Sequence, residues 1–167
     1  MFSEIHPDKM EENAFHLIGK QWMLITAGSK DQFNTMTASW GGLGFLWNAP
    51  VAIIFLRPQR FTYRFVEESD CFTLSFFESQ YKDILNYCGS HSGKDVDKVK
   101  NSGLIPVYEE SGCVYFEQAK LVLLCEKIYF NDIDPAHFID RSIQRNYPDH
   151  DYHRMYIGKV LKCLIKN

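Results

Sequence analysis

The stretch WMLITAGSKDQFNTMTASW, residues 22–40, decides the architecture. Trp22 to Gly28 is an apolar, β-branched run closed by glycine, and Ser29 to Gln32 is a polar turn, so the segment reads as strand, turn, strand. Strand side chains alternate between faces, which puts Thr35, Thr37 and Ser39 on one side and Met36, Ala38 and Trp40 on the other. Three hydroxyls on one face call for a polar partner. Working outward, Val51 to Leu56, bounded by Pro50 and Pro58, and Cys71 to Phe76 read as further strands. Between them, Thr62 to Ser69 reads as a short helix capped at Thr62 or a neighbour. Helices are also expected over Ser79 to Tyr87 and Lys94 to Asn101, the second with Ser92 as N-cap and Asp95 at its third position. Val114 to Phe116 and Ala119 to Tyr129 look like strands paired with each other, Pro135 to Phe138 like a helical turn, and Met155 to Ile165 like a last strand around Gly158. Six or more strands joined by short helices lack the βαβ rhythm of a parallel sheet, so a mainly β, antiparallel barrel with peripheral helices is the expected architecture.

The 167 residues suit one domain, and no repeat, low-complexity tract or linker divides them; the expected unit is 1–167. With 18 basic and 21 acidic residues, a net charge of −3 offers no global attraction for nucleic acid or anionic lipid. The aromatic content is high, with 13 Phe, 9 Tyr and 3 Trp, which suits pleated strands and flat ligands equally. Five widely spaced cysteines, Cys71, Cys88, Cys113, Cys125 and Cys163, argue against a disulfide framework and a zinc knuckle, and so for a reducing cytoplasm. The polar, acidic start MFSEIHPDKMEENAF lacks a secretory signal, and no run approaches about 18 apolar residues; neither export by that route nor a membrane span is expected.

Familiar catalytic motifs fail. Gly41, Gly42 and Gly44 make GGxG without GxGxxG, and Ser92-Gly93-Lys94-Asp95 lacks the rest of a P-loop. There is no GxSxG elbow and no recognisable cysteine nucleophile. Asp149, His150, Asp151 and His153 offer metal-ligand atom types, but a surface loop bonded to its own backbone explains them better, and no metal is expected. The scattered histidines include no persuasive general base. More informative is Asn34 to Trp40 followed by Arg57-Pro-Gln-Arg-Phe-Thr62: hydroxyls and an indole for a heteroaromatic ring, and two arginines in a stiff turn for a phosphate. Helix N-termini near Arg60 to Tyr63 and Ser92 to Lys94 would add N–H donors. The same residues also fit an ordinary hydroxyl-rich strand and surface ion pairs.

These segments carry a family likeness. NTMTASWGG at 34–42, LGFLWNAPV at 43–51, RPQRFTYRF at 57–65, CFTLSFF at 71–77, YCGSHSGKDVDKV at 87–99 and DYHRMYIGKV at 151–160 resemble, in that order, the flavin reductase-like, FMN-binding split-barrel family, above all its flavoredoxin-type branch. The resemblance implies an antiparallel Greek-key split β-barrel, working as a homodimer with one FMN per subunit. It implies that Asn34, Thr35, Met36, Thr37 and Ser39 line the flavin with Trp40 near its ring, that Arg57, Arg60 and Thr62 hold the phosphate, and that Ser92, Gly93, Lys94 and Lys98 reach the phosphate or the flavin edge. Lys94 departs from the arginine expected there, which keeps the charge and loses the bidentate fork.

The implied activity is hydride transfer from NAD(P)H to flavin N5, with electrons passing on to free flavin, a metal or a redox partner protein, and with no catalytic side chain because the cofactor carries the chemistry. Thr35, Thr37 and the backbone N–H groups of that strand are candidate donors to the reduced ring. The alternatives are a flavoredoxin-like electron carrier reduced by a partner protein, and a non-catalytic binding module on the same barrel. The sequence leaves NADH versus NADPH and the final acceptor open.

Overall fold

The computed structural model describes residues 1–167. The strands are β1 (Phe2–Ile5), β2 (Met23–Gly28), β3 (Phe33–Ala38), β4 (Gly41–Leu46), β5 (Ala49–Leu56), β6 (Cys71–Phe76), β7 (Pro106–Tyr108), β8 (Val114–Phe116), β9 (Leu121–Asp132) and β10 (Arg154–Lys166). The helices are α1 (Ala14–His16, running on as a π-helical turn to Gln21), α2 (Phe61–Glu68), α3 (Lys82–Ser90) and α4 (Lys98–Ser102). The main sheet runs β3-β2-β6-β9-β10-β5-β4, with β1 also on β10, and every pairing is antiparallel. β7 and β8 form a separate hairpin. This is a Greek-key split β-barrel with short peripheral helices.

The split has a specific place. The chain passes directly from β3 to β4 through Ser39 and Trp40, yet β3 and β4 do not pair and are the two ends of the strand order. β10 does the closing: its first half pairs with β5 from Arg154 to Lys159 and its last four paired residues, Cys163 to Lys166, with β1. A register shift at Gly158 bends it. Only glycine fits there, because a Cβ would lie within 3 Å of the Phe72 ring and the Cys125 side chain.

Both faces of the central strands are covered, which explains their unbroken apolar runs. In β2, Met23, Ile25 and Ala27 point into the barrel with Met36, Ile54, Phe72, Leu74 and Tyr156, while Leu24 faces the outer layer with Leu85, Cys88, Tyr115 and Phe116. β9 alternates likewise, with Leu121, Leu123 and Cys125 inside and Val122 and Leu124 outside. At about 25 cal/mol per Å² of apolar area removed from water, these two layers supply the main driving force for closure.

Several local expectations change. β8 pairs with β7, not with β9, which lies between β6 and β10. α4 begins at Lys98, and its cap is Asp97, whose carboxylate accepts from Lys100 N at 3.0 Å. Ser92 caps only a turn, accepting from Lys94 N at 3.2 Å. The cap of α2 is Arg60 rather than Thr62, and no side chain bonds the N–H groups of that end. β1, the glycine-rich β4, β7 and α1 were not anticipated: glycines carry no period-2 signal, and elements of three to six residues offer little pattern. Cys71 and Cys113 are joined as a disulfide, against the reading of the cysteines as unpaired; 42 positions separate them in sequence, so spacing gave no hint. No helix is long and apolar enough to cross a membrane.

Candidate functional site

β3 is an edge strand, and the parity of its hydrogen bonds decides what it offers. The turn bond Ser29 N to Gln32 O at 2.8 Å makes 29/32 a bonded pair, so in the register Ala27/Asn34, Ile25/Met36 and Met23/Ala38 are bonded pairs as well. The backbone groups of Phe33, Thr35 and Thr37 therefore point out of the open edge. Grooves lie on either side of this edge. One, about 240 Å³, is lined by Met36, Thr37, Ala38, Ser39, Trp40, Phe55, Arg57, Arg60, Gly89 and His153. The other, about 670 Å³, is lined by residues 31–35, 93–100, Pro106 and Tyr108.

The threonine hydroxyls do face polar partners, but partners inside the fold. Thr35 Oγ1 donates to Ile25 O at 3.2 Å and lies 2.9 Å from Thr26 Oγ1; Thr37 Oγ1 donates to Leu85 O of α3 at 2.5 Å. Thr35 is buried. Asn34 turns to the other face, where its Nδ2 donates to Thr62 Oγ1 at 2.7 Å, fixing the first turn of α2 against β3. Gly93 lies directly on Asn34, and a Cβ there would collide with its side-chain amide. Gly89 packs on Thr37, where a Cβ would come within 3.2 Å of the Thr37 Cβ, closer than ordinary van der Waals contact. Two glycines thus let α3 and the 92–96 turn close on the strand.

Lys98 is buried, and its Nζ donates to Thr35 O at 2.9 Å and to Cys88 O at 2.8 Å. It ties the open edge to the C-terminal carbonyls of α3, where a cation is favoured. Burial, with Arg60 adding repulsion and Cys88 opposing, brings its pKa down to about 8. Lys94 is exposed and lines the larger groove, beside half-buried Ser92.

The two arginines of RPQR have different surroundings. Arg57 Nη1 pairs with Asp151 Oδ2 at 2.5 Å, its Nη2 donates to Asn146 O at 2.8 Å, and its guanidinium lies 5.0 Å from the Tyr147 ring centre. Gln59 also donates to Asp151, and these two hydrogen bonds hold that carboxyl below its usual range. Asp151 Oδ1 is buried with no donor, which further discourages an anion beside Arg57. Arg60 is half-buried, has no carboxylate partner, and donates only to Gly89 O at 3.0 Å. Burial and then the charge of Arg57 push its pKa down, the mark of a cation lacking an anion. It sits at the uncapped N-terminus of the eight-residue α2.

His153 was weighed in the sequence only as a metal ligand, yet it is buried in the smaller groove. Its ring lies 5.2 Å from Trp40 and 6.4 Å from Phe55, and its Nδ1 is 2.8 Å from the Tyr147 hydroxyl. Burial first, then Arg57, with Asp151 opposing, lowers its pKa to about 4, so it is neutral at pH 7. Register, not spacing, brings it there: Arg154 faces Leu56, so His153 falls opposite Arg57 and diagonal to Phe55 on the same face, within reach of Trp40.

An FMN-like ligand needs a dianion site and backbone donors for a flat polar ring. The uncompensated Arg60 at a bare helix N-terminus and the outward N–H groups of Thr35 and Thr37 are of that kind. The donor set fits.

Among solved structures the chain is similar to an FMN-binding protein from Thermus thermophilus with bound p-hydroxybenzaldehyde, at 19% identity and a TM-score of 0.71, covering 98% of this chain and 81% of that one. It is similar to flavoredoxin of Desulfovibrio vulgaris (Miyazaki F), at 23% identity and a TM-score of 0.68, covering 87% and 69%. A third is the NADH:FAD oxidoreductase SgcE6 of Streptomyces globisporus C-1027, at 17% identity and a TM-score of 0.67, covering 87% and 75%. No curated protein sequence matches. Residues 15–167 match the model of the flavin reductase like domain, a span that holds the split, both grooves and all thirteen residues singled out in the sequence, and the chain accordingly belongs to that family.

Proposed function

We propose that this chain binds FMN along the open edge of β3 and acts as an FMN-dependent oxidoreductase that takes hydride from NAD(P)H and passes the electrons to free flavin, a metal or a redox partner protein. The observation that carries the reading is Arg60: a half-buried guanidinium with no anionic partner, at a helix N-terminus with no side-chain cap. Bound FMN would supply the hydride-accepting and electron-transferring chemistry. Arg60 and the first N–H groups of α2 would hold the phosphate, with Ser92, Gly93 and Lys94 contributing from the facing turn. The backbone N–H groups of Thr35 and Thr37, rather than their occupied hydroxyls, would bond the polar edge of the ring. Met36, Ser39 and Trp40 would flank it.

The other residues position these. Asn34 and Thr62 lock α2 to β3, Lys98 holds the Thr35 carbonyl, and Arg57 anchors the 141–153 segment. Neutral His153 adds no further positive charge to a groove beside Trp40 that Arg57 and Arg60 already line.

The functional unit of this reading is the single domain 1–167, in the cytoplasm and as a homodimer. Support for a second copy is the exposed apolar hairpin tip, Phe45, Leu46 and Trp47, next to Tyr129 and Phe130. The test is direct: record the visible spectrum of the purified protein, then add NADH and NADPH separately without oxygen. Bleaching of the flavin band at catalytic rates supports the reductase and identifies its donor. Bound FMN that resists both donors favours the partner-reduced carrier, and protein that refuses added FMN removes the cofactor assignment.

A further inference from the structure

We infer that Cys71–Cys113 is a reversible thiol/disulfide site that controls the β7–β8 hairpin, and through it one wall of the larger groove. The bond joins the first residue of β6 to the turn before β8, with Cα atoms 6.1 Å apart, inside the range a disulfide spans. β8 is fully buried and is held independently, since Thr73 Oγ1 donates to Val114 O at 2.5 Å. The turn at 109–112 and β7 are less buried; they are tied down by the disulfide at Cys113, by the Lys162–Glu109 pair at 2.8 Å and, just before β7, by the bonds of Ile105 N to Gln118 at 3.0 Å and of Glu117 N to Ile105 O at 2.9 Å. β7 carries Pro106 and Tyr108, which wall the larger groove, and Tyr108 packs edge-on against Phe33 of β3 at 6.1 Å. The outer strand of the hairpin is thus the part that the bond governs.

Access and selectivity both favour this pair. Cys71 is half-buried and lines a cavity of about 400 Å³ with Ser29, Ser69, Asp70, Ser111 and Gly112, while Cys113 is buried. The three other cysteines are buried, and burial raises the pKa of each, so none presents a thiolate able to exchange. A small thiol therefore meets the Cys71 sulfur. Its thiolate attacks there, forms a mixed disulfide with Cys71 and releases the Cys113 thiolate. A second thiol then displaces Cys71. In net terms two electrons pass from the external thiols to the S–S bond, both sulfurs take up protons, and the thiols leave as their own disulfide; a low-molecular-weight disulfide drives the reverse. In a reducing compartment such a bond is transient by nature, which makes it a sensor rather than a permanent staple.

The probes are dithiothreitol and glutathione disulfide acting on the full-length native protein. Thiol titration in denaturant should count three thiols per chain after oxidation and five after native-state reduction, with peptide mapping joining Cys71 to Cys113. Reduction should lower Tm by roughly 10 °C, as expected for opening a loop of about 40 residues. It should also speed amide exchange in residues 106–112 while sparing 114–116, and glutathione disulfide should restore protection. The C71S/C113S variant should exchange like the reduced protein in either buffer. Five thiols under oxidation, three after native reduction, a bond to another cysteine, or equal hairpin exchange in both states would each overturn the inference.

Discussion

Arg57 and Arg60 stand three residues apart in one turn, and the regions they serve differ in kind. Arg57 faces the 141–153 segment, where a carboxylate, a carbonyl and an aromatic ring absorb its charge. Arg60 faces the meeting point of β3, α2 and the end of α3, where only the Gly89 carbonyl meets it. The lesson is that residue type sets what a group can bind, while the surrounding charges decide whether it is still available. A latched arginine builds architecture; an unmatched one is left with its charge uncompensated.

The largest expected effect tests the latched side. His153 titrates near pH 4 in the fold against 6.5 when unfolded, so between those values the unfolded chain binds the proton that the folded one refuses. Stability is therefore full above pH 6.5 and falls as the pH drops, by about 3 kcal/mol at pH 4. His153→Gln should remove that slope from thermal melts run between pH 7 and 4; an unchanged slope would mean that the imidazole is not held neutral.

Next comes the unmatched side. Arg60→Ala should weaken FMN binding on the order of 10- to 100-fold by fluorescence titration, the worth of a charge-assisted bond, with Arg60→Lys in between. Arg57→Ala should lower Tm and expose residues 141–153 to proteolysis, with a smaller loss of FMN affinity than Arg60→Ala. If the two affinity losses are equal, the contrast between the arginines fails. Gly93→Ala should cost about 1–3 kcal/mol in chemical denaturation, because a Cβ must displace Asn34. The smallest effect is expected for Thr37→Val: stability should fall by about 1 kcal/mol with the lost bond to Leu85 O, and FMN affinity should hold. A large affinity loss there would put the hydroxyl, not the backbone, at the ligand.

The strand-forming runs at 22–40, 51–56, 71–76 and 155–165 were legible because each is a short apolar or alternating run rich in β-branched and aromatic residues, bounded by turn residues. β4 escaped because three of its six residues are glycine and it is short, and α4 was displaced because Asp97 outcompetes Ser92 as a cap. At the candidate site, the family likeness named segments that the fold brings close together: Asn34, Thr37, Ser39, Arg57 and Arg60 all border the split or hold its borders. It did not separate a buried anchor such as Lys98 from an exposed cation such as Lys94, since both are lysines at equal liberty in a string of letters. His153 and the Cys71–Cys113 bond were out of reach for a related reason: each depends on a partner more than forty residues away.

The sequence alone determined the mainly β, antiparallel class, the longer central strands and the family, because those follow from local patterning and from ordered segments that resemble known ones. Only the tertiary structure decided that β3 has an open edge, that its threonine hydroxyls are turned inward, that Arg57 is matched while Arg60 is not, and which cysteines meet. Availability is a property of neighbours in space, and long-range pairing across a closed sheet assigns those neighbours with no trace in the spacing of residues along the chain.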